Sequence, residues 1–205
     1  MTTDASLRPP RRRPDVLTLA LAGLVALLLV TAVVTVPIAV DRWRDLTTPS
    51  LSSVRVYEDQ RADHVKDDQS VEYGTVPPPG GPHADVWLAC GVYDEPVRDE
   101  NAVHALEHGT VWITYDPAEL SPEDVTDLAD QLPDEGILSP YPGQESPVAV
   151  TVWGRQLDLR LARDDRLTLF LAAYGDGHTS PEPMASCEGG EQVTEDDDVA
   201  GGANV

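Results

Sequence analysis

The sequence has few basic and few large aromatic residues. There are 14 basic against 36 acidic residues among 205, one lysine (Lys66) and one phenylalanine (Phe170). A formal charge of −22 repels polyanions, so we expect no nucleic-acid partner, and an anionic lipid surface is a poor ligand. Because phenylalanine is nearly absent, a folded core must be filled by Val, Leu, Ala, Trp and Tyr.

Several motifs of well-known enzyme classes are also missing. The chain contains no Cys-x-x-Cys, no Gly-x-Ser-x-Gly and no phosphate-binding P-loop. We therefore assign no catalytic residue from sequence.

Cys90 and Cys187 are the only cysteines. A disulfide is the expected state if this part of the chain lies outside the cytoplasm, and it would close a long loop. The alternative is two free thiols, with Cys187 acting as a soft ligand beside Met184, a pairing that suits Cu(I).

One long apolar run occurs, at residues 16–40, without a single charge. A helix of this length exceeds a hydrocarbon core of about 30 Å, so the run predicts a single-pass membrane anchor. Arginines precede it and Trp43 follows it between two arginines, which favours a cytoplasmic N-terminus. The alternative is a cleaved signal peptide, whose apolar region is usually about 7–15 residues.

The remaining composition predicts the domain organisation. The anchor separates a short basic tail from an acidic region, and the chain ends in a glycine-rich acidic segment that we expect to be disordered. The predicted parts are a cytoplasmic tail (1–15), a transmembrane helix (16–40), a stalk (41–62), an extracytoplasmic α/β domain (63–187) and an acidic tail (188–205).

Local patterns within the domain predict alternating strands and helices. We expect strands at 86–93, 110–115, 137–138, 147–153 and 156–161, and helices at 101–108, 122–132 and 166–174. A short edge strand is also predicted within 54–57, in the stalk. Ser121 followed by Pro122 and two acids is a strong helix start, and Asn101 is a candidate cap for the preceding helix. This order indicates an α+β or α/β sandwich, with one mixed sheet covered by helices.

The histidines carry the clearest chemical signal. His104 and His108 are four residues apart, a spacing that places both imidazoles on one helical face, with Glu107 beside them. His83 follows a Pro-Gly turn that could hold a ligand rigidly. We expect His83, His104, His108 and Glu107 to bind copper or zinc, with His64 and Met184 as additional candidates.

Several motifs together resemble the domain of unknown function 3105 family, over roughly residues 64–187. They are Pro77–His83, Cys90–Tyr93, Val103–Gly109, Pro140–Gly143, Val148–Arg155 and Pro181–Pro183. The resemblance implies a membrane-anchored domain that faces outward and whose activity is uncharacterised. Gly80 and Met184 depart from the pattern, where Ser and a small residue are usual, and the second departure weakens Met184 as part of a shared site.

Three alternatives to a non-catalytic metal site remain open. His104 and His108 could simply form hydrogen bonds to backbone groups where a helix meets a strand. The domain could then be an envelope interaction or assembly module, whose protein partner the sequence does not name. The pattern His104-x-x-Glu107-His108 also matches zinc hydrolases in which two His bind zinc and the Glu is the base, although the helix here is short.

Overall fold

A computed structural model describes residues 15–66, 69–183, 187 and 189–194 of the chain. Met184 and residues 195–205 lie outside this range. The chain divides into two compact units, Met1–Thr48 and Pro49–Val205.

The first unit contains helix α1 (Val16–Thr47), with Pro37 inside it. Its segment Leu19–Val40 is long and apolar enough to cross a membrane. A signal sequence near an N-terminus passes the same test of length and composition. The helix ends at Thr47, directly before Thr48-Pro49, because the residue before a proline is disfavoured in the helical conformation.

The second unit is built on eight strands and three further helices among the described residues. The strands are β1 (Arg55–Val56), β2 (His64–Val65), β3 (His83–Ala84), β4 (Gly91–Val92), β5 (Val111–Tyr115), β6 (Gly136–Pro140), β7 (Val148–Val152) and β8 (Arg155–Leu159). The helices are α2 (Asp99–Glu107), α3 (Pro122–Ala129) and α4 (Asp165–Tyr174).

Six strands form one mixed sheet in the order β1-β8-β7-β5-β6-β4. Strand β6 pairs in parallel with β4 and β5, whereas β5 with β7, β7 with β8 and β8 with β1 are antiparallel. β2 and β3 form a separate parallel pair. The predicted architecture, a single mixed sheet with helices, is confirmed.

The central strand β5 is buried along its whole length and separates two apolar clusters. Ile113 faces a cluster that includes Phe170 of α4 and Leu128 of α3. Trp112 faces the opposite cluster, which includes Leu106 of α2. Successive side chains of a strand point to opposite faces, so α2 covers one side of the sheet while α3 and α4 cover the other.

Helix α3 begins as the sequence predicts. The Ser121 hydroxyl accepts a hydrogen bond from the Asp124 backbone N–H, and the Asp124 carboxylate accepts one from the Ser121 N–H. This reciprocal cap satisfies two otherwise unpaired donors and contributes about 1 kcal/mol.

Helix α2 and the segment before it differ from the sequence prediction. The helix starts at Asp99 with Arg98 at the cap position, so Asn101 is not the cap. The Asn101 amide instead donates to the Val86 carbonyl, and the Asn101 carbonyl accepts from the Leu88 N–H. These bonds occupy backbone groups that a strand at 86–93 would need, and only Gly91–Val92 pair in the sheet.

The paired part of the second unit is longer than residues 63–187. Arg55–Val56, in the predicted stalk, form β1 against β8, where sequence predicts a short edge strand within 54–57. At the other end, Glu191 and Thr194 form isolated bridges with Leu88 and Val97.

Candidate metal centre

His83 lies on β3 after a turn that needs glycine. Gly80 and Gly81 have φ of 147° and 131°, and a Cβ added to Gly81 would approach the Tyr73 ring to 3.2 Å. The Gly81 carbonyl accepts a hydrogen bond from Nδ1 of His83 at 2.8 Å. The turn therefore positions the ring, and in the neutral imidazole the lone pair lies on Nε2.

The same arrangement recurs at His104 on α2. Nδ1 of His104 donates to the Ala84 carbonyl at 2.7 Å, so its Nε2 also carries the lone pair. Glu107 lies three residues further along and shares a helical face with His104. His104 and Glu107 are 4% and 6% exposed. Helix α2 thus supplies one nitrogen and one oxygen ligand atom from a buried face.

His64 enters through the small parallel sheet, where it is in register with His83. Its Nδ1 is 3.4 Å from the exposed carboxylate of Asp85, which leaves Nε2 towards Glu107. Nearly half of the His64 side chain is exposed, whereas His83 is completely buried. The group is therefore open to solvent on the His64 side only.

Four side chains converge on one point. Oε2 of Glu107 is 3.0 Å from Nε2 of His83, 3.7 Å from Nε2 of His64 and 3.9 Å from Nε2 of His104. One ligand atom from each of the four residues lies within 4.8 Å of the others. A tetrahedral ion with bonds of about 2.0–2.1 Å separates its ligand atoms by about 3.3 Å, so small shifts would complete the shell.

Two electrostatic features mark the interior of this group. Nε2 of His83 is buried without a hydrogen-bond partner. Desolvation by burial, followed by the neighbouring His83, lowers the pKa of His104 to about 4. At neutral pH His104 is therefore an uncharged imidazole, which is the form that binds metals.

His108 lies outside the group of four. It is the C-cap residue of α2, and its ring contacts His104 and Trp87 at centroid distances of 4.7 and 5.0 Å. Its Nε2 is 3.8 Å from Glu182. The hydrolase hypothesis requires His104 and His108 as the two zinc ligands and Glu107 as the base. In the structure Glu107 instead lies with His64, His83 and His104, and His108 is not part of this group.

His64, predicted only as an additional ligand, belongs to the group of four. Met184, the other additional candidate, lies outside the described residues. Asp85, which sequence reasoning missed, orients His64 and gives no local signal of that role. Cys90 and Cys187 are at disulfide distance, with Cα atoms 5.3 Å apart.

Comparison with known proteins identifies the family. A family model described as "Protein of unknown function (DUF3105)" matches residues 64–189, more than half of the chain. The chain belongs to this family, and the match includes all four residues of the group. No curated protein and no solved structure matches it.

Proposed function

We propose that this member of the DUF3105 family binds one transition-metal ion through His64, His83, His104 and Glu107. The observation that carries the proposal is the buried Nε2 of His83, which has no hydrogen-bond partner and lies 3.0 Å from the Glu107 carboxylate. A lone pair and a carboxylate oxygen at this distance repel each other unless a cation lies between them.

A proton could satisfy one such pair, but a metal ion serves all four residues at once. The structural interpretation expected backbone hydrogen bonds at His104 and His108, and Nδ1 of His104 forms one, as does Nδ1 of His83. Those bonds do not exclude a metal, because a ligating imidazole normally donates its other N–H to a carbonyl or carboxylate. The backbone contacts are therefore part of the support for the site.

The ligand atoms restrict the kind of ion. Three imidazole nitrogens and one carboxylate oxygen suit Zn(II) or Cu(II), while Cu(I) favours sulfur. No cysteine belongs to this group of four. We therefore propose zinc or Cu(II) as the cofactor, with no catalytic residue assigned.

The deciding experiment is metal analysis of the full chain purified in detergent. We expect about one zinc or copper ion per chain. His104→Ala should bind at least about 100-fold more weakly, because losing even an outer-shell partner costs 10–100-fold. His178→Ala is the matched control, since His178 is exposed and pairs with Asp176 away from the group.

His108→Ala separates this site from the hydrolase pattern. If His64, His83, His104 and Glu107 are the ligands, His108→Ala retains its metal, and His64→Ala loses affinity. The opposite result would support His104 and His108 as the ligand pair. A wild-type chain that neither carries nor takes up stoichiometric metal would disprove the proposal and leave the histidines a structural role.

We also propose that α1 is an uncleaved single-pass anchor with a cytoplasmic N-terminus and the second unit outside the cytoplasm. Support comes from the length of Leu19–Val40, the arginine cluster before it and the cysteine pair, because disulfides persist in oxidising compartments. A reporter enzyme that is active only outside the cytoplasm, fused after Thr194, should be active and membrane-bound. An inactive fusion would show that the second unit lies in the cytoplasm. An active fusion that is soluble would show that α1 is removed as a signal peptide.

A further inference from the structure

A second group of reactive side chains lies at the cysteine pair, away from the four metal-binding candidates. Oε2 of Glu135 is 3.6 Å from Sγ of Cys90 and 3.2 Å from Sγ of Cys187. The same oxygen accepts a hydrogen bond from the Cys187 backbone N–H at 3.0 Å. One carboxylate oxygen thus touches both sulfur atoms and is held there by the backbone.

The position of Glu135 is set by the turn before β6. Its carbonyl accepts from the Val111 N–H, and the next residue, Gly136, has no room for a side chain because a Cβ would lie 2.7 Å from the Pro133 carbonyl. The carboxylate is therefore aimed at the sulfurs by a constrained backbone. Glu135 is itself exposed, so it can exchange protons with water.

A carboxylate in this place fits the dithiol form better than the disulfide. Bonded sulfur atoms carry no hydrogen and cannot donate to Oε2, whereas two thiols can. A structural disulfide gains nothing from an acceptor that touches both of its sulfurs. A disulfide that opens needs a group that gives and takes the proton of the departing sulfur.

The two sulfurs also differ in access. Cys187 is completely buried, while Cys90 is only partly buried. An incoming thiolate can therefore reach Cys90, which makes Cys187 the leaving sulfur, and Glu135 lies closer to Cys187 than to Cys90.

From these contacts we infer that Cys90, Cys187 and Glu135 form a thiol–disulfide exchange site for a dithiol. One thiolate of the dithiol attacks Sγ of Cys90, and the electron pair of the Cys90–Cys187 bond moves to Cys187. Cys187 takes a proton through Glu135. The second thiolate then attacks the mixed disulfide and releases Cys90, which is protonated by water. The dithiol becomes a disulfide, and its two electrons reduce the cysteine pair.

This activity is independent of the proposed metal site. It uses none of the four candidate ligands and requires no bound ion. Its test is therefore made with the full chain freed of metal by a chelator.

The experiment follows the reduction of the oxidised full chain by dithiothreitol at fixed pH in the absence of oxygen. Glu135→Gln keeps an oxygen that can accept from the Cys187 N–H but cannot carry a proton. We expect it to react on the order of 100-fold more slowly, the lower range for general acid–base catalysis. Asp134→Asn removes the same charge from the adjacent exposed residue and should react within about twofold of wild type.

Two outcomes would overturn the inference. Equal or faster reduction of Glu135→Gln would make the carboxylate irrelevant or an electrostatic shield against thiolates. A wild-type pair that dithiothreitol reduces only after the chain is unfolded would be a purely structural bond. A second measurement tests the order of attack: Cys187→Ala should accumulate a mixed disulfide at Cys90 with the oxidised form of a monothiol such as glutathione, which has no second thiol to release Cys90, and failure to do so contradicts the assigned roles.

Discussion

Addition of Zn(II) or Cu(II) to the metal-free full chain is expected to raise the melting temperature of its second unit by about 10 °C. A ligand that binds only the folded state at 1,000 times its dissociation constant stabilises it by about 4 kcal/mol. A domain of this size shifts by about 2–4 °C per kcal/mol. The large shift follows because the unfolded chain does not gather His64, His83, His104 and Glu107, so most of the binding energy becomes folding energy.

His83→Ala is the sharpest variant for this measurement. It removes the buried nitrogen that lacks a hydrogen-bond partner, so the metal-induced shift should nearly vanish. His178→Ala should retain the full shift. Magnesium should give little shift with wild type, because Mg²⁺ prefers oxygen ligands to imidazole.

The acidic end of the chain provides the main competing explanation. Residues 195–198 are four consecutive acidic residues, whose negative charge attracts divalent cations without the geometry of a binding site. If His83→Ala shifts as much as wild type, the metal binds elsewhere and the site proposal is wrong. A chain shortened after Thr194 that keeps its shift would exclude the acidic end.

The fold was predictable where its signals are local. β5 is a run of β-branched and aromatic residues and β7 is rich in valine, and Ser121-Pro122 starts a helix by a cap that involves neighbours only. The segment at 86–93 was misjudged because an apolar run does not show which backbone groups bond. Its partner is Asn101 on α2, a contact that local sequence does not encode.

The candidate site was only partly predictable for a similar reason. Helical spacing places His104, Glu107 and His108 on neighbouring positions, but it does not say which of them faces β3. The position of β3 brings Glu107 to His83 and leaves His108 beside Trp87 and Glu182. His64 was recognised only as an additional candidate, because its place depends on pairing with a strand 19 residues away.

Removal of both cysteines is expected to be the largest change in stability without metal. The cysteines are separated by 97 positions, and cross-linking a loop of this length constrains the unfolded chain by about 4–5 kcal/mol. The double variant Cys90→Ala with Cys187→Ala should therefore melt about 10–15 °C lower than the oxidised wild type. Chemically reduced wild type is the control, because it keeps both cysteines but lacks the bond, and it should melt close to the variant.

The chain-entropy explanation also predicts how the folded variant behaves, which distinguishes it from an effect of the bond on local packing. If the bond acts on the unfolded state, the folded variant keeps its structure at 25 °C and binds zinc or copper with unchanged affinity. Its unfolded state is less compact, so the dependence of unfolding free energy on urea should become steeper. Loss of metal affinity at 25 °C would instead show that the bond holds Trp87, three residues before Cys90 and in contact with His104, in its native position. If the double variant loses less than about 1 kcal/mol of unfolding free energy relative to the oxidised wild type, both explanations are wrong.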